Sequence, residues 1–397
     1  MTNDKNSSAQ ELLHRRKMLF ENTARQCNKD RVPILSNTRQ YPFYDAGYTT
    51  SEALSDYDKI FSSLCRFHEK YQFDAYWDLG SRFPYKAIQE LGKTLYIWDD
   101  FGIQYLDSCF MGDDEYPVYA EKGQIKYFYE NIIPRRFELT KENKEDFFDR
   151  MVRAAKANDE LNEFVEKVAK YFKETYGIAR CIIKTPFGCN MPLGGMMQVT
   201  RGMKNLSIDL RRRKAEVDAL MAVLEGDAFE RFKKNVGLVE DRDDLIFPWQ
   251  LTALVHTLLN KKQFDEYCWP YIKKYTDVLV ENDQIGIMLM EGQTKPYIDD
   301  FKDLEKGHFI LYPEQDDLAE LKKLAPNLSY CGGMQNTLVG MSTKEKCIDR
   351  AKELIDTVGY DGAYVFCIDK MLAFKSDVNP DNLLAVNDFV REYGVYK

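Results

Sequence analysis

Residues 331–366 read CGGMQNTLVGMSTKEKCIDRAKELIDTVGYDGAYVF, and residues 378–394 read VNPDNLLAVNDFVREYG. A Gly-Gly turn follows a short apolar strand, and Ser342-Thr343 is a residue pair that commonly begins a helix. The apolar run Ala363–Phe366 predicts a buried strand, and Asn379-Pro380 predicts the start of a last helix. This alternation of strands and helices is typical of a parallel α/β fold.

The same alternation extends toward the N-terminus. Short apolar runs, each followed by a helical stretch, lie near Val32, Ala75, Ile182, Ile287, Ile310 and Val365. The pattern predicts an α/β protein built as a single (β/α)8 TIM barrel. A doubly wound sheet is the alternative, but the chain lacks the glycine-rich phosphate turns G-x-G-x-x-G and G-x-x-x-x-G-K.

Two parts of the chain differ from this repeating pattern. Residues 1–30 predict an N-terminal helical extension to a barrel over residues 31–397. Residues 93–140 are rich in Tyr, Trp, Asp and Gly, and Tyr96–Trp98 and Gln124–Phe128 alternate in polarity, so we expect a β-hairpin excursion there. The segment Leu251–Leu259 predicts a helix in which His256 is packed or partly exposed.

Composition narrows the class of protein. The chain has 397 residues and a net charge of −9, which argues against a nucleic-acid partner because such a surface repels phosphates. Apolar runs are too short for a transmembrane helix, and the N-terminus has no apolar signal core, so we expect no membrane partner. The nine cysteines are scattered without a C-x-x-C pair, which predicts reduced thiols and a cytoplasmic location.

Several stretches, in order and spacing, resemble the uroporphyrinogen decarboxylase-like superfamily, which includes corrinoid-dependent methyltransferases of anaerobes. Besides the C-terminal unit, the stretches that carry this resemblance are Arg31–Pro33, Ala46–Leu54, Gln72–Asp78, Phe187-Gly188, Met203–Leu210, Phe264–Tyr271, Gly286–Gly292 and Glu314–Lys322. The resemblance implies a barrel whose small-molecule substrate enters at the carboxyl ends of the strands.

The zinc motif of the methyltransferases differs here. The resemblance implies a His-x-Cys at a strand end and a later Cys, whereas this chain has Leu289-Met290-Glu291 and, near the later position, Lys370. We therefore expect zinc to be absent, or its site to be rebuilt from Glu291 and Cys367. The chain also lacks a cobalamin-binding D-x-H-x-x-G stretch, so a corrinoid would have to come from a partner protein.

The decarboxylase hallmark W-x-M-R-Q-A-G-R is also missing. Leu35–Pro42 occupies its position, and only Arg39-Gln40 matches part of it. Porphyrinogen chemistry is therefore disfavoured. Arg39 and Arg82 follow the first and second predicted strands, where they could bind an anionic substrate, and Asn190 lies in the loop after the third.

Two carboxylates are the candidate acid and base. Asp78 and Glu291 each directly follow an apolar strand, and each is followed within two residues by glycine. Carboxylates at the carboxyl ends of barrel strands lie where barrel enzymes place their chemistry, so we expect both to face the mouth of the barrel.

The resemblance therefore implies methyl transfer in a corrinoid-dependent system, with a separate corrinoid protein as partner. Two alternatives stay open. One is a decarboxylase-type lyase acting on a carboxylated substrate, which needs several arginines in the pocket. The other is a non-catalytic binding or accessory barrel without the family's zinc site.

Overall fold

The computed structural model describes residues 8–77, 84–91, 96–99, 102–140, 143–181, 188–189, 191–236 and 245–397, with backbone alone at 96–99, 102–105 and 188–189. The strands are β1 (Leu35–Ser36), β2 (Ala75–Tyr76), β3 (Tyr96–Asp99), β4 (Gly102–Tyr105), β5 (Ala179–Arg180), β6 (Gly188–Cys189), β7 (Trp249–Ala253), β8 (Gly286–Met290), β9 (Phe309–Pro313), β10 (Ser329–Met334) and β11 (Tyr364–Ile368).

Helices alternate with these strands over most of the chain. They are α1 (Ala9–Ala24), α2 (Tyr41–Asp45), α3 (Thr50–Leu54), α4 (Tyr57–Tyr71), α5 (Tyr85–Leu91), α6 (Tyr116–Tyr127), α7 (Ile133–Arg136), α8 (Lys144–Tyr171), α9 (Pro192–Gly195), α10 (Met203–Arg212), α11 (Lys214–Val236), α12 (Lys261–Tyr267), α13 (Trp269–Glu281), α14 (Leu318–Leu324), α15 (Asn336–Met341), α16 (Lys344–Thr357) and α17 (Pro380–Tyr393).

Nine of these strands form two parallel sheets. One sheet has the order β1-β2-β5, and the other has the order β11-β10-β9-β8-β7-β6. A parallel bridge at Ile34–Phe366 joins the two sheets beside β1 and β11, and a second one at Arg180–Leu245 joins β5 to the segment that precedes β7. The chain is therefore an α/β protein with parallel sheets, and the carboxyl ends of the strands in each sheet lie along one edge.

Burial explains why these segments are strands. The runs FILYP of β9 and YVFCI of β11 are buried at every position, as expected for parallel strands covered on both faces. Helices then cover the sheets and are capped locally: Thr343 accepts the backbone N–H of Lys346, and Asn379 accepts that of Asp381. The C-terminal unit that the sequence predicts as strand, helix, strand, helix is confirmed.

Side chains of both sheets form one core, which is separate from the core beneath the helices. Its buried members include Leu35, Ile287, Ile310, Tyr312, Cys331, Val365 and Cys367. Tyr312 is the polar member, since its hydroxyl contacts the Nδ2 of Asn37 at 3.1 Å and the Sγ of Cys367 at 3.3 Å. The space between these strands is therefore filled by side chains just below the carboxyl edge.

The structure corrects two sequence predictions. The hairpin is present as the antiparallel pair β3–β4, but Gln124–Phe128 is helical and follows a kink at Gly123 (φ +70°). The buried Tyr127 stacks on Tyr119 with ring centroids 4.1 Å apart, and this packing outweighs a five-residue alternation. Residues 249–253 form β7 rather than a helix, with alternating burial between β6 and β8, and His256 lies in the short turn after this strand.

The strand predicted near Ile182 corresponds to the buried parallel strand β5, whereas Ile182 itself and the candidates Asp78, Arg82 and Asn190 lie outside the described residues. Within the described part of the chain, no helix combines the length and apolar character needed to cross a bilayer.

Candidate functional site

Polar side chains from four strands meet at the carboxyl edge of the sheets. Glu291 follows β8, Glu314 follows β9, Asp369 follows β11 and Arg39 follows β1. Contacts join these loops: the backbone N–H of Gly292 donates to Glu314 Oε2 at 2.8 Å, and Lys370 Nζ lies 3.4 Å from Glu314 Oε1. Ligands of parallel α/β sheets commonly bind beyond this edge, so it is the candidate site.

Asp369 is a buried carboxylate of this edge with a raised pKa. Its side chain is buried, and Oδ1 accepts the backbone N–H of Asn336 at 2.9 Å. Burial raises the pKa of Asp369 to about 6, while the Asn336 N–H and the nearby Lys370 charge oppose the shift and the charge of Glu314 adds to it. A carboxyl group with this pKa exchanges a proton near neutral pH, which suits general acid or base work.

Arg39 and Gln40 follow β1 and are both buried. The backbone N–H of Arg39 donates to the carbonyl of Leu372 at 2.8 Å, which fixes this segment beside the chain that leaves β11. Neither the amide nitrogen nor the amide oxygen of Gln40 has a hydrogen-bond partner among the described residues. An unpaired buried polar group costs about 1–3 kcal/mol, so the pair is a candidate for orienting a polar ligand.

Glu291 begins a tightly held loop. Its backbone N–H donates to the carbonyl of Ala253 at 2.9 Å, and its side chain is half-buried. Gly292 has φ +71°, and a Cβ there would lie 2.7 Å from Thr257 Cγ2, so only glycine fits this turn without strain. Later in the same loop, the backbone N–H of Thr294 donates to Asp316 Oδ2 at 2.6 Å. The loop therefore holds Glu291 at the edge on a rigid backbone.

His256 lies under this loop and is fully buried. The Tyr297 hydroxyl donates to the His256 carbonyl at 3.0 Å and fixes the turn, but neither imidazole nitrogen has a hydrogen bond of normal geometry among the described residues. Burial lowers the pKa of His256 to about 4, and the backbone of Glu291 and Gln293 beside the ring opposes that shift. The ring is therefore neutral near pH 7 and is placed to support the backbone that carries Glu291.

The described residues do not form a set of ligands that suits zinc. No group of three or more His, Cys, Asp or Glu side chains in this part of the chain is arranged to hold a metal ion. Leu289 has no donor atom for zinc, and Cys367 is buried within β11, where its Sγ contacts the Tyr312 hydroxyl. The described residues do not fit the family's zinc ion.

The structure brings together some of the predicted residues and adds others. Arg39 and Glu291 lie at the carboxyl edge, where each follows a strand, and Cys367 lies inside the sheets. Sequence reasoning missed Asp369 and Glu314. Both directly follow fully apolar five-residue strands, the same signal that singled out Glu291.

The fold defines the class of this protein, and comparison with known proteins identifies its family. The folded chain is a parallel α/β protein with acidic and basic side chains collected at the carboxyl edge of its sheets. The model of the uroporphyrinogen decarboxylase (URO-D) family matches residues 187–393, slightly more than half of the chain. The chain therefore belongs to this family. A search of curated proteins finds no match.

Proposed function

We propose that this chain is a methyltransferase of a corrinoid-dependent system, binding a small methyl donor at the carboxyl edge and working with a separate corrinoid protein. The family includes both methyltransferase-like and decarboxylase-like members, so membership alone does not choose between them. The charge of the candidate site is the observation that favours methyl transfer.

Acids outnumber cations among the first four residues after strands β1, β8, β9 and β11. The acids are Glu291, Glu314, Asp316, Asp317 and Asp369, and the cations are Arg39 and Lys370. Such an edge repels a substrate with several carboxylates, and Lys370 is already paired with Glu314. A neutral or cationic donor, such as a methylated amine or a methoxy compound, suits this charge.

The chain's own residues bind the donor and handle a proton. As the bond between the methyl carbon and the donor's heteroatom breaks, the Asp369 carboxyl donates its proton to the departing heteroatom. Glu291 is the second acid or base, and Arg39 with Gln40 orients the donor. The corrinoid of the partner supplies the cobalt nucleophile that accepts the methyl group. Asp78 stays a proposed acid or base, and Arg82 and Asn190 stay proposed substrate-binding residues.

As part of the same proposal, the two parallel sheets close into one barrel. The parallel bridges Ile34–Phe366 and Arg180–Leu245 support the view that the two sheets form one (β/α)8 ring. In such a ring β7 and the segment at Leu245 belong to one strand position, and the mouth collects all the side chains described at the carboxyl edge. Residues 1–30 and the hairpin region then remain additions to the barrel.

A direct assay tests the reaction class. The purified chain is incubated without oxygen with cob(I)alamin and, in turn, methylated amines, methanol and methoxylated aromatics, and methylcobalamin is followed by its absorbance. We expect one donor class to react, and the Asp369→Asn variant to react at least about 10²-fold more slowly. The exposed Asp349→Asn variant is the control.

A lyase acting on a carboxylated substrate is the second candidate, supported by the buried guanidinium of Arg39 at the edge. Release of carbon dioxide from a carboxylated substrate, with no methyl transfer to cobalamin, would establish it and refute our proposal. Absence of both activities would favour a binding or accessory barrel.

A further inference from the structure

The departure from the zinc motif has a structural counterpart at the carboxyl edge. The stretches at which the resemblance implies zinc ligands are Leu289–Glu291 and the chain at Lys370, and they lie at the ends of β8 and β11. In the sheet, β9 and β10 separate these two strands. The side chain that directly follows β9 is Glu314, and it lies between the two stretches.

Glu314 connects the two stretches through both of its carboxylate oxygens. Oε2 accepts the backbone N–H of Gly292, the residue after Glu291, at 2.8 Å, and Oε1 lies 3.4 Å from Lys370 Nζ. The backbone N–H of Glu314 also donates to the carbonyl of Met290 at 3.1 Å, which fixes where the carboxylate lies. The place that the resemblance assigns to a zinc ion therefore holds a carboxylate and the ammonium group of Lys370.

The Lys370 ammonium group has N–H donors that Glu314 does not use. An ammonium group carries three N–H donors and is a compact point charge. In the described part of the chain, Glu314 is the one carboxylate within ion-pair distance of it, and the Lys370 side chain is 43% exposed. The remaining N–H donors can therefore bind a ligand at the edge while the ion pair with Glu314 stays in place.

A second polar side chain beside this segment lacks a partner. The backbone N–H groups of Arg39 and Tyr41 both donate to the carbonyl of Leu372, at 2.8 and 3.3 Å, which places Gln40 beside the chain that carries Lys370. Gln40 is fully buried, and neither atom of its amide has a hydrogen-bond partner among the described residues. Because an unpaired buried amide is costly, it indicates that a polar ligand completes this part of the edge.

We propose that Lys370, held by Glu314, is the fixed cation of the candidate site and binds a substrate oxygen that carries or gains negative charge. An ammonium group does this without the set of nitrogen and sulfur ligands that zinc needs. The inference rests on the proposed function only in taking the carboxyl edge as the place where the substrate binds.

In the proposed reaction, this cation favours donors whose departing atom is oxygen. When the bond between the methyl carbon and that oxygen breaks, the methyl group passes to the nucleophile of the partner and the electron pair of the bond stays on oxygen. The Asp369 proton then completes a hydroxyl group. A fixed ammonium group stabilises the negative charge that develops on the oxygen. A methylated ammonium donor instead loses positive charge as its bond breaks, so it gains no such stabilisation.

Equilibrium binding of an anion tests the cation without the reaction. The probe is 4-nitrophenolate at pH 8, titrated with the purified chain and followed by its absorbance. We expect Lys370→Met to raise the Kd of the probe at least about tenfold, as for the loss of a hydrogen bond from a charged donor. Lys370→Arg keeps the charge and should raise Kd by no more than about threefold.

A matched control removes a lysine from the other end of a strand. Lys306 is exposed and precedes β9, whereas Lys370 follows β11, so Lys306→Met should leave the Kd of the probe unchanged. Treatment of the unchanged chain with EDTA should also leave Kd unchanged. Unfolding midpoints equal to that of the unchanged chain would show that the variants fold.

Kinetics with two donors of similar shape test specificity. A methoxylated aromatic and its dimethylamino counterpart are compared with cob(I)alamin as acceptor. Lys370→Met should lower kcat/KM for the methoxylated donor relative to the amine at least about tenfold, because only the departing oxygen gains negative charge. A loss of folded protein would lower both values equally and leave their ratio unchanged.

The outcomes separate this inference from the proposed function. The inference is refuted if the unchanged chain does not bind the probe, if Lys370→Met and Lys306→Met have equal effects, or if Lys370→Arg loses as much binding as Lys370→Met. Loss of probe binding after EDTA would assign the charge to a bound metal and would also refute it. Absence of methyl transfer with every donor, with binding of the probe still dependent on Lys370, refutes the proposed function and leaves this inference standing.

Discussion

Replacing Asp369 with asparagine removes one buried negative charge while keeping an oxygen that can accept the N–H of Asn336. In the folded chain, burial raises the pKa of Asp369 from 3.8 to about 6. That difference corresponds to about 3 kcal/mol of destabilisation of the ionised carboxylate. The asparagine side chain resembles the protonated acid, so it should not carry this cost.

The pH dependence of the effect has a defined sign. Below about pH 3 the carboxyl group is protonated in both the folded and the unfolded chain, so Asp369 and its asparagine variant should have similar stability. As pH rises toward 6, the unfolded chain loses the proton more readily than the folded chain, and the unchanged protein loses stability. We therefore expect the variant to be more stable by about 3 kcal/mol at pH 8 and by about half of that at pH 5.

Urea unfolding at pH values from 4.5 to 8 measures this difference in stability, provided that the unfolding free energy falls with urea concentration at the same rate in both proteins. The exposed Asp349→Asn variant on α16 is the control and should show no such trend. A stability difference that does not change with pH, or a variant less stable than the unchanged protein at pH 8, would refute the argument that Asp369 is a buried acid with a raised pKa.

Three further changes test the loop that carries Glu291. Glu291→Gln should lower turnover about 10²-fold or more while leaving the thermal midpoint nearly unchanged, as scored by kinetics and calorimetry on the same samples. In the unchanged chain, stability against urea should fall as the pH is lowered from about 6.5 to 4, because burial lowers the pKa of His256 to about 4 and the folded chain resists its protonation. The His256→Phe variant should lose less stability over this pH range. Gly292→Ala should destabilise by about 1–3 kcal/mol through its positive φ and its contact with Thr257, whereas Gly226→Ala in α11, with open space at its Cβ, should stabilise slightly. Equal effects of the two glycine changes would contradict the strain assigned to Gly292.

The elements that sequence reasoning placed well are those with a strong local signal. Strands β8, β9 and β11 are short apolar runs, each followed directly by an acidic residue, and helix α17 begins at the Pro380 that marks it in the sequence. The helix predicted over residues 251–259 is wrong at its start, where residues 251–253 belong to strand β7. An apolar segment of this length fits both the helical and the strand period, and only its pairing with β6 and β8 decides between them.

Glu291 and Arg39 could be selected as site residues since each follows a strand, and parallel strands bring their carboxyl ends to one edge. If this rule is applied to every predicted strand, it also selects Glu314 and Asp369, which follow β9 and β11. His256 could not be found in this way, because its burial depends on the loop that begins at Glu291 and is packed over it.

The sequence by itself determined the α/β class, the order of the C-terminal strands and helices, and the likeness to the uroporphyrinogen decarboxylase family, because these depend on local residue patterns and their spacing. Tertiary structure alone decided which charges lie together. Asp369 has a raised pKa because folding buries it near Glu314, and its Oδ1 accepts the backbone N–H of Asn336, which follows a different strand. Burial and through-space charge depend on three-dimensional neighbours, and no local pattern encodes them.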